Sequence, residues 1–224
     1  MVDYGEKKNL TYAPTDILYP EDDGKPMAAG DLHRSQLIRT LHVIEAYYAS
    51  DPMVYVSGDL FIYYEEGVPS KSISPDVLVS FGVGMKQRRT YKVWEEGKTP
   101  EFVMEFSSKN TFEKDLTEKI EIYESLSIQN YFLYDAEDLY LPSQLMGYEL
   151  IDGNYVDLPC NENGIHASSI GLAFQVLDDG LGIYNPSTGE LLQTPVEREA
   201  KRADSAEAEV AQLREQVARM QSQS

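Results

Sequence analysis

Between residues 31 and 49, apolar side chains recur at Leu37, Leu41, Ile44 and Tyr48, the four-three-four spacing of a single helical face. This predicts a helix from Asp31 to about Ala49, with Asp31 placed to cap it and Asp51-Pro52 placed to stop it. The helical period then lapses. VYVSGDLFIYYEEG (54–67) is rich in β-branched and aromatic residues, and SPDVLVSFGV (74–83) is almost continuously apolar, so both read as strands, the second central in its sheet. FVMEFSS (102–108) and NYFLYDAED (130–138) predict two more strands. The segment between them predicts a helix from Phe112 to Ser127, with Leu116, Ile120 and Tyr123 on one face. From residue 148 the pattern changes to hairpins, turning at Asp152-Gly153 and Asp179-Gly180. Residues 1–30, rich in Pro, Gly and acids, predict an extended lead-in.

Helix, strands, helix, strand and meander in that order predict one α/β (α+β) domain over residues 1–194. A different pattern starts at Pro195 and fills residues 195–224. Val196, Glu199, Ala203, Ala206, Val210, Leu213, Val217 and Met220 alternate three and four apart, which is heptad spacing. The expectation is a helical, coiled-coil tail that makes the protein a homodimer; the competing reading is a solvated helix.

Composition narrows the function. Nineteen basic against 38 acidic residues in a 224-residue chain give a net charge of −19. That opposes broad attraction to nucleic acid or an anionic membrane, because phosphate contacts come mainly from Lys and Arg. Any nucleic-acid contact is then local, and the densest basic run offers Lys86, Arg88, Arg89 and Lys92 for it. The single cysteine, Cys160, rules out an internal disulfide and a Cys-based zinc site. No apolar leader or membrane-spanning window is visible, so a cytoplasmic location without membrane contact is expected.

Candidate chemistry comes from charges that interrupt apolar elements. Asp76 immediately precedes Val77-Leu78-Val79, Glu105 sits inside FVMEF, and Asp115 and Lys119 lie four apart on the second helix. A buried ionised carboxylate is costly unless it is paired or bound to a cation. Two acids in neighbouring core strands therefore suit a shared Mg²⁺, which takes one or two carboxylates plus waters and phosphate oxygens. A lysine beside that ion is placed to orient or deprotonate a water, or to stabilise developing negative charge. Structural roles compete with this reading: Asp76 as a turn cap after Pro75, Glu105 salt-bridged to Lys119, and Asp115–Lys119 as an ordinary helical pair.

The ordered wording of these motifs resembles the PD-(D/E)XK nuclease superfamily, and within it the bacterial family of restriction-endonuclease-like proteins called Uma-two. The matching residues are Pro75-Asp76, Glu105-Phe106-Ser107 with Thr111, Asp115 and Lys119 with Tyr123, and Asn130 to Asp135; Asp31-Leu32-His33 resembles the family's opening helix. The resemblance spans roughly residues 15–192 and excludes the tail. It implies a restriction-endonuclease-like mixed sheet flanked by helices, and a Mg²⁺- or Mn²⁺-dependent endonuclease acting on DNA. The metal ligands would be Asp76, Glu105 and the Phe106 backbone carbonyl. Ser107 occupies the position where the superfamily's lysine normally stands, so Lys119 is the replacement candidate and Lys109 the lesser one. Asp115, Ser107, Tyr123, Asp31 and His33 would support the site, with Glu45 an alternative to Asp31. The competing function is a weak or inactive nuclease-fold binding module acting through its tail.

Overall fold

The computed structural model describes residues 19–20, 30–161 and 164–222. The expected lead-in falls outside these residues except for Tyr19, Pro20 and Gly30. Helix α1 (Asp31–Tyr48) is followed by β1 (Val54–Ser57), β2 (Ile62–Tyr63), β3 (Ser72–Ile73), β4 (Val77–Phe81) and β5 (Tyr91–Lys92). A single turn, α2 (Val93–Glu96), leads into β6 (Phe102–Phe106). Then come α3 (Phe112–Asp115), α4 (Glu118–Ser125) and β7 (Asn130–Tyr134). The chain continues through β8 (Leu145–Ile151), β9 (Asn154–Asp157), β10 (His166–Ala167), β11 (Ala173–Leu177), β12 (Gly180–Asn185) and β13 (Glu190–Leu191). It ends in α5 (Pro195–Ser222).

Six strands form the main sheet in the order β1-β4-β6-β7-β8-β9. It is mixed: β6 and β7 run parallel, joined through α3 and α4, and every other pair is antiparallel. Strands β4, β6, β7 and β8 are internal, and β6 and β7 are buried along their whole lengths, because both faces of the sheet are covered there. Phe102, Met104 and Phe106 point into a core shared with α1 and the β10–β13 sheet, through Ile44, Leu172, Phe174 and Ile183. Val103 points the other way, into a core with Tyr123 and Ile128 and with Ile62 and Tyr91 of the small β3-β2-β5 sheet. Strand alternation puts Glu105 on that second face.

Several elements depart from expectation, each for a local reason. Residues 54–67 are two strands rather than one. The break falls at Gly58-Asp59, where Asp59 adopts φ +52° and its N–H donates to the Pro75 carbonyl at 3.0 Å. The helix expected over Phe112–Ser127 is interrupted at Leu116-Thr117. There the Thr117 hydroxyl donates to the Glu113 carbonyl at 2.6 Å, and the Tyr131 phenol donates to the Asp115 carbonyl at 2.9 Å. Gly30 is the N-cap of α1, and Asp31 makes no capping bond; it is paired instead with Arg34 at 2.8 Å. The β8–β9 hairpin turns at Asp152-Gly153, both with positive φ as a tight two-residue turn requires. Leu177 pairs with Gly180, so the turn between β11 and β12 is Asp178-Asp179, one residue earlier than expected.

α5 starts where a capping box lies: Thr194 Oγ1 accepts from the Glu197 N–H, and Glu197 Oε2 accepts from the Thr194 N–H. Pro195 fits the first helical turn. Among the described residues, no helix is long and apolar enough to cross a membrane.

Candidate active site

Strands β4 and β6 pair in antiparallel register with Val77 opposite Met104 and Leu78 opposite Val103. One step further along that register sets Asp76 opposite Glu105. Directly opposed residues share a face and hold their Cβ atoms about 5 Å apart. The Phe106 N–H donates to Asp76 Oδ2 at 2.7 Å, so the strand carrying Glu105 also orients Asp76.

Gly58 completes this arrangement from the β1 side. A Cβ there would lie 2.2 Å from the Asp76 carbonyl oxygen, so only glycine admits the approach. Neither Gly58 nor Tyr131 stands out in the sequence reading; an isolated glycine inside a strand-like run was the available signal for the first.

Glu105 is buried and fully engaged. Its Oε1 accepts from the Tyr123 phenol at 2.6 Å, and its Oε2 lies 2.8 Å from Lys119 Nζ. Lys119 Nζ also lies 2.9 Å from Asp115 Oδ1, and the Ser107 hydroxyl donates to Asp115 Oδ2 at 2.9 Å. The helical break helps build the cluster. Asp115 ends α3, Lys119 and Tyr123 project from α4 one turn apart, and all three reach the Glu105 face of the sheet. Lys119 keeps about a fifth of its side chain exposed, so the site opens to solvent on the lysine side.

Electrostatics in this cluster favour more positive charge than it holds. Desolvation pushes the Glu105 carboxyl up to about 8, helped by Asp76 and Asp115 and opposed by Lys119. Asp76 keeps some solvent contact, but loss of hydration still raises its pKa, against the Phe106 N–H, Lys119 and His33, which lower it. For Lys119, burial works against the charged form, but Glu105 and Asp115 outweigh it and raise its pKa. Burial and Glu105 raise the Tyr123 phenol well above its ordinary range, so it remains a donor.

These residues fit a hard divalent cation. Asp76 and Glu105 offer oxygen atoms from the same face of adjacent strands, and both have raised pKa values that an added cation would lower. Among the described residues no group of three or more His, Cys, Asp or Glu side chains is arranged to hold a metal. A pair of carboxylates completed by a carbonyl and waters is the set that Mg²⁺ commonly accepts.

The remaining candidates divide. His33 sits beside the site, its ring edge-to-face with Phe106 at 5.9 Å. Asp31, about 200° round the helix from His33, is exposed on the other side with Arg34 and does not join the cluster. Glu45, His42 and Lys109 are exposed elsewhere, and His166 bonds the Leu158 carbonyl at 3.0 Å.

The basic run is not the open patch that its composition suggests. Arg88 is buried, with 2% of its side chain exposed; it pairs with Glu96 at 2.8 Å, donates to the Val83 carbonyl and lies 4.0 Å over the Tyr55 ring. Its guanidinium is therefore withdrawn from phosphate contact. Lys86 also reaches Glu96, at 3.1 Å, and Lys92 reaches Glu95, at 2.9 Å, while retaining solvent access.

The model of a family described as "Uma2: Putative restriction endonuclease" matches residues 9–181. Among solved structures, one described as a putative nuclease belonging to DUF820 from Anabaena variabilis is similar at 15% sequence identity. The match covers 64% of this chain and 80% of that one, with a TM-score of 0.46. No curated protein matches the chain.

Proposed function

The chain belongs to the Uma2 family of restriction-endonuclease-like proteins, and on that premise we propose that it is a divalent-metal-dependent endonuclease that hydrolyses phosphodiester bonds of DNA. The observation that carries this reading is the opposition of Asp76 and Glu105 on one sheet face with Lys119 beside them. Asp76, Glu105 and the Phe106 carbonyl are the groups we assign to Mg²⁺ or Mn²⁺. When bound, such an ion supplies Lewis acidity at a phosphoryl oxygen and lowers the pKa of a bound water.

The chain's own groups carry the rest. Lys119 is held as an ammonium by two carboxylates, which makes it a poor base and a good donor. Its role in this proposal is to orient the attacking water through the water's lone pair and to stabilise charge on the phosphoryl oxygens. Asp115, fixed by Ser107, keeps Lys119 positioned, and Tyr123 fixes the rotamer of Glu105. His33 flanks Asp76 and favours its ionised form. Exposed Lys86 and half-buried Lys92 remain the local contacts for a phosphate backbone, with Arg89 nearby in the chain; Arg88 is withdrawn from that set. Residues 1–194 form the catalytic domain in this reading, and α5 is assigned to association of two chains.

Plasmid cleavage tests the proposal. Nicking that needs Mg²⁺ or Mn²⁺ and disappears in Asp76→Ala supports it. Metal-dependent cleavage that survives Asp76→Ala assigns the activity to a contaminant. A folded protein that neither cleaves nor binds metal is a nuclease-fold binding module instead.

A further inference from the structure

α5 is 28 residues long, about 42 Å at 1.5 Å per residue. Its first turn is tied to the domain: Arg39 of α1 bonds Glu197 at 2.7 Å and the Leu181 carbonyl at 2.9 Å. From Glu199 to Gln221 its residues are exposed. Val210, Leu213 and Val217 stand 46%, 52% and 47% open to solvent, one above the other along a single stripe. A helix this polar draws little stability from an apolar stripe left in water.

We propose that α5 is one strand of a parallel, two-stranded coiled coil formed with a second copy of this chain, in register over residues 202–221. The inference rests on the assignment of α5 to self-association and is independent of the chemistry at Asp76 and Glu105. Ala203, Val210 and Val217 occupy the a positions of the seam, and Ala206, Leu213 and Met220 the d positions. β-Branched residues at a with leucine at d favour two parallel strands.

Charge complementarity fixes the polarity. In a parallel pair each g residue faces the e residue five positions later on the other helix. Arg202 then faces the partner's Glu207, Glu209 faces the partner's Arg214, and Gln216 faces the partner's Gln221. Every flanking pair in this stretch is opposite in charge or neutral, and two-fold symmetry doubles each one. An antiparallel pair centred on Val210 and Leu213 keeps only the Glu207–Arg214 contact, leaving Arg202 and Glu209 without an opposite charge. The parallel arrangement also puts the two domains side by side at one end of the coil, since α5 leaves each domain at Pro195.

Light scattering on the full chain, with charge reversal and a cross-link, tests this. The expected mass is that of two 25.3 kDa chains. Arg214→Glu sets like charges against each other and weakens the dimer at least about tenfold, and adding Glu209→Arg restores it. In a Cys160→Ser background, Val210→Cys forms a disulfide with its own counterpart, as only a parallel in-register seam allows. A monomer at about 100 μM chain overturns the proposal. So does a trimer or tetramer, or a dimer indifferent to both charge changes and unable to cross-link. Metal titration on the same samples separates this outcome from the nuclease reading, because losing the dimer leaves cation binding at Asp76 and Glu105 intact.

Discussion

Lys119 Nζ lies 2.8 Å from Glu105 Oε2, joining a lysine on a short helix to a carboxylate inside a buried strand. The same ammonium serves Asp115. Removing one member of a buried ion pair leaves the other uncompensated, so Lys119→Ala costs about 3 kcal/mol in the metal-free protein above about pH 8, where Glu105 is ionised. The loss is smaller at neutral pH and below, where Glu105 holds a proton. Nuclease activity falls at least about 100-fold, because a donor that stabilises transition-state charge is gone. Denaturant unfolding and cleavage rates on one preparation check both parts.

The pH dependence of stability follows from Glu105. Its pKa rises from 4.5 in the unfolded chain to about 8 in the folded one. Between those values the folded protein holds a proton that the unfolded chain has released. Through this group, stability is fully present below the lower value and is lost as pH rises to the upper one. Glu105→Gln removes that slope. A divalent cation favours the ionised carboxylate, so Mg²⁺ stabilises the wild type more at about pH 9 than at about pH 6. Thermal unfolding at several pH values, with and without Mg²⁺, reads this directly.

Gly58→Ala places a methyl group 2.2 Å from the Asp76 carbonyl oxygen, a backbone atom that cannot swing aside. The expected cost is about 2 kcal/mol or more. Activity measured below the melting transition should also fall, since relief of the clash moves the residue carrying Asp76. Retained activity at full folding would show that the site tolerates this displacement.

Arg88→Ala separates structure from recognition on the basic loop. The pair with Glu96 is almost completely buried, so the substitution costs about 3 kcal/mol. Lys86→Ala, at an exposed position, changes stability by no more than about 0.5 kcal/mol. DNA affinity of the folded Arg88→Ala protein should match the wild type when measured by fluorescence anisotropy.

These contrasts mark how far the sequence could be read. Asp76 and Glu105 were singled out as charges that interrupt apolar stretches; the register of β4 with β6, which sets them opposite each other, is not written in either stretch alone. Helical spacing paired Lys119 with Asp115 in the sequence, and the two do meet at 2.9 Å, although the helix breaks between them. The burial of Arg88 was not legible: it depends on Glu96, eight residues away, and on Tyr55 of β1. The interruption at Leu116-Thr117 escaped helical periodicity because its cause includes a bond from Tyr131, a residue on β7. Asp31 looked like a cap by residue type, but Gly30 takes that position and leaves Asp31 at the surface.

Calorimetric titration of Mg²⁺ and Mn²⁺ into wild-type protein and into folded Asp76→Asn tests the central claim most directly. One cation per site in the wild type, with affinity reduced at least about tenfold in Asp76→Asn, is the predicted result. Equal binding by both proteins, or no binding to the folded wild type at millimolar metal, would contradict it.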